Sequence, residues 1–212
     1  MIASPPGADR SGSAPGAATA PATARGRRRR EELLDAAEQL FLDQGFHGTS
    51  VDDLGAAAGI SGPGLYRHFA SKDALLMAVL DRIWAQLRPA IDTAAGQEPD
   101  QALATLLEGQ LELAMGQPSA LVLLVRELRH LDLEYRRLAA RNHRRYVDAW
   151  VDALRRRAPH LGDEDARSTV LAVHGLIDSA AINPEARRVA QRRDWLRELA
   201  TAVIDRATQD TG

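Results

Sequence analysis

Apolar residues recur at helical spacing along almost the whole chain, and no segment alternates convincingly at period two. The spacing predicts a first helix over about Arg28 to Gln44 that buries Leu33, Ala37, Leu40 and Phe41. Gly45 ends it, and Phe46 folds back over its last turn. Val51, Leu54 and Ala58 share one face of a short second helix. Thr49 or Ser50 caps it, with Asp52 or Asp53 three residues beyond each cap as the reciprocal partner. Gly59 stops that helix, Ile60 staples the turn into the core and Ser61 opens a third. There Leu65 and Phe69, four apart, share a buried face, so Tyr66, Arg67 and His68 point outward together.

After Ser71 a longer helix carries Leu75, Leu76, Val79, Leu80, Ile83, Trp84 and Leu87, and stops near Pro89. Further helices are expected at about 100–115, 119–130, 133–157, 163–182 and 194–207. The fold class is therefore all-α: a three-helix head with a helix-turn-helix, then a helical bundle. The expected organisation is a disordered tail (1–26), the head (27–72), a connecting helix (73–89) and a body (90–207).

The third helix is costly as written. Gly62 and Gly64 each cost about 1 kcal/mol relative to Ala inside a helix, and Pro63 is tolerated only because it falls in the first turn. A surface that must approach sugar-phosphate without protruding side chains has a use for such residues, and a helix N-terminus adds partial positive charge. Gly55, four residues before the turn glycine, lets the two helices cross closely. A Gly-bearing turn of three to four residues between short helices is the spacing of a DNA-reading motif. An ordinary helical hairpin with a Gly-Pro-Gly loop is the plainer alternative.

Residues AAEQLFLDQGFHGTSVDDLGAAAGIS (36–61) and GLYRHFASKDALL (64–76), with the long helix after them, carry a resemblance. Region 28–88 resembles the N-terminal domain of the TetR/AcrR (tetracycline-repressor-type) family of bacterial transcriptional regulators. The resemblance implies that the helix holding Tyr66 enters the major groove. Positions matching Thr49, Tyr66, His68 and Lys72 commonly touch phosphates, and those matching Gly62 to Gly64 and Arg67 lie near base edges. The DNA-facing set is then Thr49, Ser50, Ser61, Gly62, Pro63, Gly64, Tyr66, Arg67, His68 and Lys72. Many members carry Lys or Arg where this chain has Gly62, so base readout rests more on Arg67.

Composition narrows the remaining classes. The 212 residues include no cysteine, which excludes disulfides, Cys-ligated zinc and thiol catalysis. Hydrophobic residues make up 45% and aromatics only 4%, so the core is mostly Leu, Ala and Val. No apolar run approaches the roughly 18 residues of a membrane span, and the start lacks a secretory h-region, so the expected location is cytoplasmic. The formal net charge of −2 places any polyanion-binding field locally. Arg25 and Arg27 to Arg30, five cations in six residues, are either a solvated helix start or an arm along the DNA backbone.

In the body, TVLAVHGLIDSAAI (169–182) is apolar almost all round, interrupted mainly by His174 and Asp178. A helix without a polar face meets protein on both sides. With Trp195, Leu196, Leu199 and Val203 on the last helix, it fits a two-fold four-helix dimer bundle, as in the resembling family. The resemblance also implies a ligand cavity. Gln110, Asn142 and His174 interrupt apolar stripes and need partners, supplied by a ligand or by the protein itself. Trp84, Tyr146 and Trp150 are either cavity walls or core.

Between Arg126 and Arg157, ten arginines face five acids. If the cavity opens there, the surplus suits an anionic effector such as an acyl-CoA. An all-α enzyme finds little support. The six histidines are scattered, no Gly-x-Ser-x-Gly elbow occurs, and no phosphate-cradling loop follows a strand, so neither metal nor cofactor is expected. The expected function is a homodimeric repressor released from a palindromic operator by a small molecule. A DNA-packaging protein without sequence preference is the competing reading.

Overall fold

The structure, a computed structural model, describes residues 23–183 and 193–209. Residues 1–22, where most of the expected tail falls, lie outside the described residues. The described residues form helices α1 (Ala24–Gly48), α2 (Val51–Ala57), α3 (Gly62–Leu65), α4 (Lys72–Ala94), α5 (Pro99–Gly116), α6 (Pro118–Glu127), α7 (Leu133–Arg157), α8 (Asp163–Ile182) and α9 (Arg193–Thr208). A 3₁₀ turn, Leu128–His130, follows α6. Among the described residues there is no strand, and no helix is long and apolar enough to cross a membrane.

Three elements depart from the sequence-based expectation. The first helix begins at Ala24, because Thr23 accepts the amide of Gly26 and caps it; the residues at 24–26 are therefore helical rather than tail. The reading segment is helical only over Gly62–Leu65, and Tyr66 to His68 form turns after it. Two glycines and a proline leave little propensity to extend it. Pro89 does not end α4, which runs on to Ala94. The residues beyond it still pack inward: Ile91 is partly buried and Ala94 is 3% exposed, which holds the helix past the missing amide.

Helices α1 to α3 and the first turns of α4 close one part of the core around Leu33, Phe41, Leu54, Leu65, Phe69 and Leu75. The rest of α4 packs on α5 and α7, and α8 lies against α5, α6, α7 and α9. Helix α6 is short but bridges the two halves, touching α1 on one side and α8 on the other. Both α4 and α6 thus connect the head to the body.

Candidate nucleic-acid interface and buried cavity

Ser50 caps α2. Its Oγ accepts the amide of Asp53 at 3.0 Å, while the Asp53 carboxylate accepts the Ser50 amide at 3.0 Å. These hydrogen bonds hold the Asp53 carboxyl below the usual carboxylate range. Gly59, at φ +67°, turns the chain toward α3. The two helices then cross too closely for a side chain. A Cβ on Gly55 would lie 2.8 Å from the Gly62 amide nitrogen and 2.9 Å from the Ile60 carbonyl oxygen.

The expected DNA-facing residues divide into two groups. Ser61, Pro63, Tyr66 and Arg67 are exposed, Tyr66 at 55%, and the Arg67 side chain makes no hydrogen bond or ion pair with the described residues. His68 is half-buried beside Arg25, Arg28 and Arg29. Ser50 is exposed, but its hydroxyl is engaged by Asp53.

Three residues are turned inward instead. Thr49 is 1% exposed, and its hydroxyl donates to the carbonyls of Leu40 and Gly45. Gly62 is buried, and the nearest atom to a Cβ there is Asp52 Oδ1 at 2.1 Å, the end of an exposed side chain that can rotate away. Lys72 Nζ donates to the carbonyls of Phe46 (2.8 Å) and Thr49 (2.9 Å), and lies 4.4 Å from the centre of the Phe46 ring. It ties the start of α4 to the end of α1. Gly64 is half-buried against Ser61.

The arginine run is likewise partly spent inside the protein. Arg29 donates to the Ala58 carbonyl at 2.8 Å, at the end of α2, and pairs with Glu32. Arg28 also pairs with Glu32, and the Arg30 guanidinium lies 4.8 Å from the Phe69 ring centre.

Sequence reasoning missed Glu127. It is 3% exposed, and its carboxylate accepts the Phe46 amide at 3.1 Å across the head–body junction. Arg126 stands 3.9 Å and His130 4.0 Å from it. Phe46 is therefore held from both sides: its amide by α6, its carbonyl by α4. The signal was present, because Ala120, Leu123 and Glu127 fall at i, i+3, i+7 on one buried stripe.

A cavity of about 250 Å³ lies between α4, α5, α6, α7 and α8. Trp84, Gln110, Tyr146 and His174 line it, together with Asp178 and His143. The rest of its wall is mainly leucine, with Val125, 56% exposed, where it meets solvent. Two expected residues lie elsewhere. Asn142 donates to Asp81 at 3.2 Å, and Trp150 is fully buried core, edge-on to Tyr146 and His174.

The polar side of the wall is a connected chain. Tyr146 donates to Gln110 at 2.8 Å, Gln110 donates to Asp178 at 2.5 Å, and His174 stacks on Tyr146 with ring centres 5.1 Å apart. Burial pushes the Asp178 carboxyl up to about 6, against the opposing pull of Gln110. Burial, with His143 nearby, pushes His174 down to about 3, so its ring is neutral, and burial also raises the Tyr146 hydroxyl. Among the described residues, Trp84 Nε1 and His174 Nε2 have no hydrogen-bond partner.

Residues 33–79 match the pattern of the bacterial regulatory proteins, tetR family. The HTH-type transcriptional repressor KstR2 of Mycobacterium tuberculosis is 33% identical over 138 residues, covering 59% of this chain and 64% of that protein. KstR2 of Rhodococcus jostii is 36% identical over 107 residues, 49% of this chain and 52% of its own length. The chain thus spans about half to two thirds of these curated relatives. The TetR-family regulator PfmR from Thermus thermophilus superposes with a TM-score of 0.68 at 24% identity, over 90% of this chain and 98% of that one. The match to residues 33–79 falls on the helices that build the tight glycine crossing, and a helical body like those of solved family members follows. On that combination, residues 33–79 carry the pattern of the tetR family of bacterial regulatory proteins, within a chain that shares the fold of solved tetR-family regulators.

Proposed function

We propose that this protein is a sequence-specific, DNA-binding transcriptional repressor that acts as a homodimer and leaves its operator when a small molecule fills the body cavity. The observation that carries this reading is the pairing of an exposed Arg67, without a side-chain partner among the described residues, with Tyr66, just after a helix-turn-helix too tightly crossed to be a loose loop. Arg67 reads base edges, and Tyr66, His68, Ser61 and Pro63 lie along the backbone. Residues 27–72 form the reading head, 73–89 the shared helix and 90–207 the sensing and dimerising body, to which the N-terminal arginines add local positive field. The repressor sign follows the KstR2 relatives, which carry that name.

The dimer surface is the outer side of α8. Leu171 and Ile182 are 49% and 41% exposed, and Ala172, Gly175 and Ser179 share that face. A two-fold copy across α8 and α9 covers it. Filling the cavity shifts α4, which moves the two heads out of the spacing of about 34–36 Å that successive grooves require. By reciprocity, operator DNA weakens effector binding.

The arginine surplus gives no reason to expect an anionic effector inside the cavity. Among the described residues no lysine or arginine lines it. Arg155, Arg156 and Arg157 pair instead with Asp163, Asp152 and Asp205. An acyl-CoA would have to leave its charged nucleotide outside.

Selection of bound genomic fragments, followed by titration of a selected duplex, tests the reading. Arg67→Ala should cost about 1–3 kcal/mol on the selected duplex and little on a scrambled one. Tyr66→Ala should weaken both. Equal binding of wild type to selected and scrambled duplexes would instead identify a packaging protein.

A further inference from the structure

The cavity is mostly apolar, but its polar groups are of mixed kind. Asp178 offers acceptor oxygens, and among the described residues Gln110 is its only hydrogen-bond partner. Among the described residues, Trp84 Nε1 is a donor without an acceptor and Nε2 of the neutral His174 ring has no partner. Among the described residues no lysine or arginine in the wall balances the Asp178 carboxylate. A ligand carboxylate would meet that like charge in a poorly solvated site. An ammonium would face the indole N–H as well as Asp178. A hydroxyl suits the set better, because it donates to Asp178 and accepts from Trp84.

We propose that the cavity takes an uncharged molecule with an apolar body of about eight water-sized groups, set by the cavity volume, and a hydroxyl group seated against Asp178. This rests on the ligand-responsive reading above, to which it adds the chemical class of the effector. The leucines of α4, α5 and α6 take the apolar body.

The test titrates the full-length protein with 1-octanol, octanoate and octylamine at about pH 7.5, by calorimetry. Octanol should bind about tenfold or more tightly than octanoate, and more tightly than octylamine. Asp178→Asn, which removes the charge and keeps the shape, should bring octanoate to within about threefold of octanol. Octanoate or octylamine binding best to the wild type, no probe binding, or an unchanged octanol-to-octanoate ratio in Asp178→Asn would each refute the assignment. Binding to a selected duplex is measured in the same samples. The expected order of probes without any effect on the duplex would leave the cavity chemistry intact and reject the ligand-responsive reading alone.

Discussion

The carboxylate of Glu127, at the end of α6, accepts the backbone amide of Phe46 at 3.1 Å, which joins the helix beside the cavity to the corner below the reading head. Leu121, Leu124 and Val125 on the same helix line the cavity. Truncation at Glu127 leaves a buried N–H without a partner, at a cost of about 1–3 kcal/mol. Glu127→Ala should therefore lower the unfolding free energy by about that amount, measured by denaturant titration, and weaken the effect of a cavity ligand on duplex affinity. A destabilised variant that keeps the full ligand response would show that Glu127 only holds the fold.

Lys72 was expected at a phosphate, but both of its hydrogen bonds go to carbonyls of its own chain. Lys72→Met keeps the stem and removes both bonds. It should destabilise the protein by about 2 kcal/mol, with duplex affinity falling as the head loosens. Unchanged unfolding together with a shallower salt dependence of duplex binding would restore the phosphate-contact role.

Gly55 and Gly64 should respond very differently to alanine. At Gly55 the new methyl meets backbone at 2.8–2.9 Å, which the turn cannot relieve. Gly55→Ala should cost about 1–3 kcal/mol or more and abolish duplex binding. At Gly64 the nearest atom is Ser61 Oγ at 3.1 Å, a side chain free to rotate, so stability should be held or slightly raised. Paired thermal melts of the two variants check this contrast.

Two buried groups give stability opposite pH trends. Asp178, raised from 3.8 to about 6, penalises the folded state progressively as pH rises from about 4 to above 6. Asp178→Asn should thus gain up to about 3 kcal/mol at neutral pH and nothing near pH 3. His174, lowered from 6.5 to about 3, contributes stability that is full above 6.5 and is lost as pH falls toward 3. His174→Phe should flatten that acid loss. Denaturation curves from pH 3 to 8 separate the two groups, and parallel wild-type and variant profiles would count against either.

Gly175 sits on the outer face of α8, and a Cβ there would meet nothing within 4 Å in the single chain. A lone helix would gain up to about 1 kcal/mol from a larger residue. Gly175→Gln should instead split a close-packed dimer by sedimentation, with the fold retained. A dimer of unchanged strength would place the interface elsewhere.

The helices were legible in the sequence because periodicity and caps are local. Ser50 with Asp53 and the glycine corners at 45 and 59 follow from residues within one turn of each other. Lys72 was not, since the backbone carbonyls of Phe46 and Thr49 that satisfy it are brought near only by folding. At the cavity, the polar interruptions Gln110 and His174 were readable, but Asn142 breaks its stripe for a partner on α4. Asp178 was visible as a break in an apolar run, four residues after His174 and hence on the same face, and its significance emerges only with Gln110 opposite it.

Phe46 is gripped by two different rods, its N–H by α6 and its C=O by Lys72 of α4. A displacement that both rods share would carry the corner along without bending it. Only a mismatch in their travel works on that peptide, so the junction compares two movements and stays silent to their sum.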